Sequence, residues 1–269
     1  MLVRFARFVH AGGVSFGVVE GEAAAGPSGL TVAEISSLPF ETVRFTGQRW
    51  ALADVRLLAP IFSSKVIGVG RNYADHAAEL GNEVPKEPLI FIKPSTSVIG
   101  PNDAIRLPPQ STKVEHEAEL AVVIGATGAR RVDRAGAERA IFGYTCGNDV
   151  TARDLQRSDP QWTRAKGFDS FCPLGPWIVT DLDVRDLEVR CEVGRDPDAM
   201  ELRQIGRTKD MIFDVPTLVS YVSHVMTLLP GDVILTGTPA GVGPLEAGET
   251  VSVTVQGIGE LANPVVSLD

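Results

Sequence analysis

Val114-Glu-His-Glu-Ala-Glu-Leu-Ala-Val-Val-Ile124 is the stretch on which both the fold and the chemistry turn. Its second half is an apolar run of the kind that forms a buried strand. Its first half alternates acids with other residues. Read as one extended strand, residues 114–124 put Glu115, Glu117, Glu119, Ala121 and Val123 on one face, and Val114, His116, Ala118, Leu120 and Val122 on the other. Glu117 and Glu119 then point the same way beside core residues. Carboxylates so placed repel each other unless a cation, a shared proton or water relieves them. An isolated Glu-x-Glu also occurs on solvated faces, so the reading depends on what accompanies it.

The company is a third acid, Asp149, in Asn148-Asp-Val-Thr-Ala-Arg-Asp154. If Asp149 caps a helix start, Arg153 and Gln156 share one helical face with it, which sets two anion-binding groups beside a cation site. Glu117, Glu119 and Asp149 are hard oxygen donors without a Cys or His partner. That set favours magnesium, manganese or calcium over zinc, and leaves coordination positions open for substrate.

The chain has 269 residues, 44% hydrophobic and 22% charged, enough to bury a sizeable core and without a disordered signature. A net charge of -9 argues against nucleic acid or an anionic membrane as partner, since either wants a basic footprint. Cys146, Cys172 and Cys191 are odd in number and widely spaced, which fits a reducing, cytoplasmic setting rather than a disulfide frame. The N-terminal Met1-Leu-Val-Arg-Phe-Ala-Arg-Phe-Val9 mixes basic with apolar residues, unlike a signal peptide, and no membrane span is expected.

Two unequal parts emerge. Residues 1–60 read as a small β-rich module, with strands over 2–9, 14–19, 42–51 and 54–58 and a Gly/Ala/Pro-rich loop at 21–29. Residues 61–269 read as a strand-dominated body with strands at 66–69, 89–93, 177–179, 187–193 and 251–255. Helices are expected over 73–80, 133–140, 152–157 and 215–226.

Val69-Gly-Arg-Asn-Tyr-Ala-Asp-His76, Glu117-Ala-Glu-Leu-Ala-Val-Val-Ile-Gly125, Asn148-Asp-Val-Thr-Ala-Arg-Asp154, Trp162-Thr-Arg-Ala-Lys166 with Cys172-Pro173, and Asp232-Val-Ile-Leu-Thr-Gly-Thr-Pro-Ala-Gly-Val-Gly243 together resemble the fumarylacetoacetate hydrolase superfamily. The likeness runs from about residue 65 to the C-terminus. Within the family the wording is nearest to bacterial 2-hydroxyhepta-2,4-diene-1,7-dioate isomerases or decarboxylases, and to the acylpyruvase and oxaloacetate decarboxylase branch. The resemblance implies a mixed α/β fold built on a β-sheet roll, a homodimer, and Mg2+ or Mn2+ held by Glu117, Glu119 and Asp149. It also implies a catalytic dyad at His76 and Glu79.

The residues fit that expectation in chemical terms. On a helical turn the spacing of His76 and Glu79 lets the carboxylate orient the imidazole. The polar stretch 81–88 that follows is a candidate loop over bound substrate. Lys166, among Trp162, Phe168 and Phe171, offers a cation for an enolate or carboxylate oxygen. Arg153 and Gln156 are candidates to anchor a substrate carboxylate, Arg71 to bind a distal one or to pair with a local acid, and Thr238 to meet a carboxylate at a strand end. The glycines after Thr238 lack the Lys-Ser/Thr ending of a phosphate loop. His10, His116 and His224 are assigned to structure, and Glu115 to support of the acid face. The expected activity is metal-dependent isomerisation or decarboxylation of a short dicarboxylic 2-oxo or 2-hydroxy-dienoic acid through an enolate. Acylpyruvate carbon–carbon hydrolysis is the alternative, and a non-catalytic metal- or anion-binding module is the reading from a different class.

Overall fold

Alternating apolar and polar residues fold the start of the chain into an antiparallel meander: β1 (Arg4–His10), β2 (Gly13–Glu20), β3 (Thr31–Ile35) and β4 (Phe45–Ala51), with β5 (Arg56–Leu58) returning to pair with β1. The computed structural model describes residues 2–21 and 29–268, so most of the expected loop at 21–29 lies outside the described residues.

The body continues with β6 (Val66–Gly70), α1 (Ala74–Glu79), β7 (Leu89–Lys93), β8 (Val98–Ile99), β9 (Ile105–Leu107), β10 (Val114–Glu115) and β11 (Ala118–Ile124). Then come α2 (Arg134–Ala140), β12 (Ile141–Asn148), β13 (Thr151–Ala152), α3 (Arg153–Ser158), α4 (Thr163–Lys166) and β14 (Cys172–Val179). The chain closes with β15 (Glu188–Gly194), β16 (Glu201–Arg207), α5 (Val215–Val225), β17 (Val233–Leu235), β18 (Thr250–Val255) and β19 (Gly259–Ser267). The fold is the strand-dominated mixed α/β class that the sequence predicts. One large sheet runs β4-β3-β2-β1-β14-β12-β11-β17-β6-β7, and a second runs β16-β15-β18-β19-β9. The meander is thus hydrogen-bonded into the body's sheet, with Arg4 opposite Val179 and Phe5 opposite Ile178.

All seven residues of β11 are buried. Its alternation divides them between two cores: Leu120, Val122 and Ile124 join Val189, Val251 and Val253 of the second sheet, whereas Ala121 and Val123 face Phe5, Ile178 and Leu235. A strand covered on both sides has no solvated face, which is why it is apolar from Leu120 to Ile124, with Glu119 the one ionisable residue in it. Helices form where expected, and Asp133 and Asp214 cap α2 and α5 by accepting from the amides of Gly136 and Thr217.

Two sequence expectations need correction. The strand over 114–124 is broken at His116 and Glu117, because their amides bond outside the ladder, to the Gly243 carbonyl at 3.2 Å and the Asn148 Oδ1 at 3.0 Å. β10 pairs instead with β13. Asp149 does not cap a helix: α3 begins at Arg153 behind Ala152, and the Asp149 carboxylate faces lysines rather than amides.

All three cysteines are free and buried, and burial pushes the thiols of Cys146 and Cys172 up to about 12. Among the described residues no helix is long and apolar enough to cross a membrane.

Candidate active site

Strand register assembles the site. β11 pairs with β12 so that Ala118 lies opposite Asn148. Asp149, the next residue, then comes alongside Glu117, whose carbonyl accepts its amide at 2.9 Å. On the other edge of β11, β17 delivers residues 236–238, and the Gly237 amide donates to Glu119 Oε2 at 2.7 Å. Gly237 has φ 97, and a Cβ there would lie 2.7 Å from that of Asn72, so this turn admits only glycine at low cost. β6, parallel to β17, leads into Arg71 and α1, which carries His76 and Glu79.

Glu117, Glu119 and Asp149 are buried, and each offers one oxygen within a cluster no wider than 4.8 Å. Lys166 Nζ donates to Glu117 Oε2 at 2.7 Å and to Asp149 Oδ2 at 2.6 Å, and lies 5.0 Å from the centre of the Phe91 ring. Lys93, fully buried, donates to the other oxygen of Asp149 and to the Val150 carbonyl. Arg153 is shared out among neighbours: Nε donates to Glu115 Oε2 at 2.7 Å, one terminal nitrogen to Glu117 Oε1, and the other to Gln156 Oε1 at 2.9 Å.

The charges are uneven in effect. Burial alone raises the Glu117 carboxyl, but Arg153, Lys166 and His76 outweigh it and hold it well below the usual range. Glu119 goes the other way, raised by burial and then by Asp149 and Glu117. For Lys166, burial lowers the ammonium's pKa, and Asp149 and Glu117 more than restore it. A carboxylate trio in which one member cannot comfortably ionise is a donor set short of positive charge, and this fits a divalent cation bound by oxygen.

His76 is buried at the rim, with Nδ1 3.2 Å from Glu79 Oε2 and Nε2 3.8 Å from Glu117 Oε1. Glu79 is held in turn by the Gly241 amide at 3.0 Å. Thr238 Oγ1 donates to the Ala118 carbonyl at 2.7 Å and accepts from Gln204 Nε2 at 2.8 Å. Arg71, His76, Glu117, Glu119, Arg153, Gln156, Lys166 and Thr238 line one cavity of about 260 Å³, a volume for a small organic acid. Asp149 lies behind it against the two lysines, and Glu79 lies outside its lining.

Three residues of the site escape a reading of the sequence alone. Lys93 ends an apolar strand, and a lysine closing such a run was its only signal. Gln204, on an edge strand, accepts from His116 Nδ1 at 2.9 Å and the Ala118 amide at 3.0 Å, tying β16 to the site. Burial pushes the His116 imidazole down, so it sits neutral in this network, with its Nε2 unpartnered among the described residues. Asn148 is the third, placing the Glu117 amide.

Comparison with known proteins matches this arrangement. Residues 65–266 match the fumarylacetoacetate (FAA) hydrolase C-terminal family, and residues 3–60 match the Rv2993c-like N-terminal family. Protein Rv2993c of Mycobacterium tuberculosis is 55% identical over 267 residues, 98% of each chain. The mitochondrial oxaloacetate tautomerase fahd2 of Xenopus laevis is 43% identical over 227 residues, 80% of this chain and 69% of that one. Among solved structures, the 2-hydroxyhepta-2,4-diene-1,7-dioate isomerase of Mycobacterium marinum superposes with a TM-score of 0.90 at 54% identity, covering 98% of both chains. The fumarylpyruvate hydrolase of Pseudomonas aeruginosa, in complex with Mn2+ and pyruvate, gives 0.70 at 33% identity over 79% of this chain and 92% of its own. The chain belongs to the fumarylacetoacetate hydrolase family.

Proposed function

We propose that this protein is a divalent-metal-dependent isomerase or decarboxylase that acts through an enolate on short dicarboxylic 2-oxo or 2-hydroxy-dienoic acids. The observation that carries the reading is the meeting of a buried carboxylate trio with Lys166, bonded to two of its members, and with His76, backed by its own carboxylate. Glu117, Glu119 and Asp149 would hold Mg2+ or Mn2+, which when bound supplies Lewis-acid stabilisation of charge developing on a substrate oxygen. Lys166 keeps its proton and is a fixed cation at the same place, so it favours an enolate over its keto precursor. With Nδ1 turned to Glu79, His76 directs Nε2 to the cavity, where an imidazole nitrogen can take a proton from C3 of a 2-oxo acid or return one. Arg153 fixes Glu115 and Glu117 and keeps the acids in place.

Isomerisation needs this proton shuttle, and decarboxylation needs only the electron sink and a proton donor. Hydrolysis of acylpyruvates is the second reading, favoured by the His76–Glu79 contact, which suits activation of a water, and by the likeness to a fumarylpyruvate hydrolase. A non-catalytic metal-binding module has no use for Lys166 and His76. The test is product analysis with oxaloacetate, 2-hydroxyhepta-2,4-diene-1,7-dioate, acetylpyruvate and fumarylpyruvate, each with Mg2+, with Mn2+ and after chelation. Metal-dependent proton transfer or release of carbon dioxide is expected. Faster cleavage of the acylpyruvates would hand the assignment to hydrolysis, and metal binding without any turnover would leave the binding module.

The same reading includes a homodimer. Its support is that the edge strands β7 and β16 expose Leu89, Ile92, Leu202 and Ile205. Sedimentation equilibrium of a monomer would remove it.

A further inference from the structure

The cavity is lined by five basic side chains, Arg71, His76, Arg153, Arg157 and Lys166. Three are committed to carboxylates: His76 to Glu79, Arg153 to Glu115 and Glu117, and Lys166 to Glu117 and Asp149. Arg71 and Arg157 have no ion pair and no side-chain hydrogen bond among the described residues. Two cations without a partner thus face one small cavity in a chain of net charge -9, which has acids to spare for local pairing.

Their placement is specific. Arg153, Gln156 and Arg157 stand at i, i+3 and i+4 on α3 and so share a face. Arg157 lies one turn beyond Arg153, about 6 Å along the axis, further out toward solvent. Arg71 comes from a different element. It follows Gly70, whose missing side chain makes room for Trp162 (a Cβ would lie 2.8 Å from that ring), and it holds φ 58, a conformation that an arginine rarely adopts. An unusual backbone that presents an unpaired side chain to a cavity points to a role in that cavity.

We propose that Arg71 and Arg157 form a subsite for the second carboxylate of a dicarboxylic substrate, one turn of α3 outward from the acid trio. The subsite rests on the 2-oxo acid reading above and adds the source of selectivity for a doubly charged substrate. The acid trio and Lys166 serve the 2-oxo acid end, with Arg153 holding Glu115 and Glu117 in place. The two free guanidinium groups read whether the other end is charged. One turn of helix suits chains of about four to seven carbons between the two poles.

The test is calorimetric binding to the Mg2+-loaded full chain of 2-oxoglutarate and of 5-methyl-2-oxohexanoate, whose isopropyl end has the shape of a carboxylate without its charge. Wild type is expected to favour 2-oxoglutarate by about 10- to 100-fold, the range for charge-assisted hydrogen bonds. Arg157→Met is exposed and safe for folding, and Arg71→Asn keeps a residue that tolerates positive φ. The double variant should lose the preference while its affinity for 5-methyl-2-oxohexanoate stays within about twofold of wild type. Equal binding of the two acids by wild type, or a preference that survives in the double variant, overturns the subsite and leaves the 2-oxo acid site standing. Failure of wild type to bind either acid removes that site, and the subsite with it.

Discussion

Lys93, with no exposed surface, donates its ammonium to one oxygen of Asp149 and Lys166 donates to the other, so two lysines share one carboxylate. Replacing Lys93 by Met removes one member of a buried pair while keeping its volume. Loss of one such partner costs about 3–5 kcal/mol. At this chain length that is a fall of roughly 5–9 °C in Tm, measurable by scanning calorimetry. An unchanged Tm would mean that Lys166 alone satisfies Asp149.

The acid trio predicts a dissociable metal. Glu119→Gln retains an acceptor for the Gly237 amide and should leave the fold intact, whereas Asp149→Ala deletes a donor that two lysines hold. Both variants should bind Mg2+ at least about tenfold more weakly and lose turnover. Wild type should lose activity on exhaustive chelation and regain it with Mg2+ or Mn2+. Calorimetric metal titration checks the first statement, and full activity after chelation would sink the second.

His76 separates the candidate chemistries. Activation of a water for acylpyruvate cleavage depends on a base, and His76→Ala should reduce it by about 10²- to 10⁴-fold. Oxaloacetate decarboxylation should fall less, because Lys166 and the metal remain. The measurement is kcat/KM for both substrates at matched metal occupancy. Equal losses would assign His76 to a step that the two reactions share.

Away from the site, Asp214 caps α5 and pairs with Arg134 across to α2. The hydrogen bond from Arg134, joined by those from Thr217, outweighs the opposing effect of burial and holds its carboxyl at about 2, below the ordinary 3.8. A depressed carboxyl stabilises the fold above its ordinary value, and that stability is lost as pH falls from about 4 through about 2. Asp214→Ala should therefore cost about 1 kcal/mol at pH 7, mostly from the cap since the ion pair is exposed. The gap to wild type should close near pH 2. Urea unfolding across that range checks it, and a gap independent of pH would refute the assignment.

Much of this was readable from local pattern, and the reasons it stopped are physical. Glu117, Glu119 and Asp149 announce themselves because ionisable side chains interrupt apolar runs, and helix ends at Asp133 and Asp214 carry capping side chains. The break at His116 and Glu117 carries no such mark. It is made by Gly243 and Asn148, partners distant in sequence that periodicity does not register. Gln204 is hidden for the same reason, as the buried position of a strand whose neighbours are exposed. Arg153 shows another limit: its charge is visible in the sequence, but its use in holding Glu115 and Glu117 is visible only in three dimensions.

The pairing of β1 with β14 has a practical meaning for anyone who shortens this protein. A chain begun at residue 61 would strip β14 of its neighbour and uncover the apolar surface that Phe5 shares with Ile178. An unpaired strand edge beside bare apolar side chains recruits other copies of itself. The body cut free in this way should precipitate rather than behave as an independent minimal enzyme, so β1 and the strands paired with it belong in any shortened version.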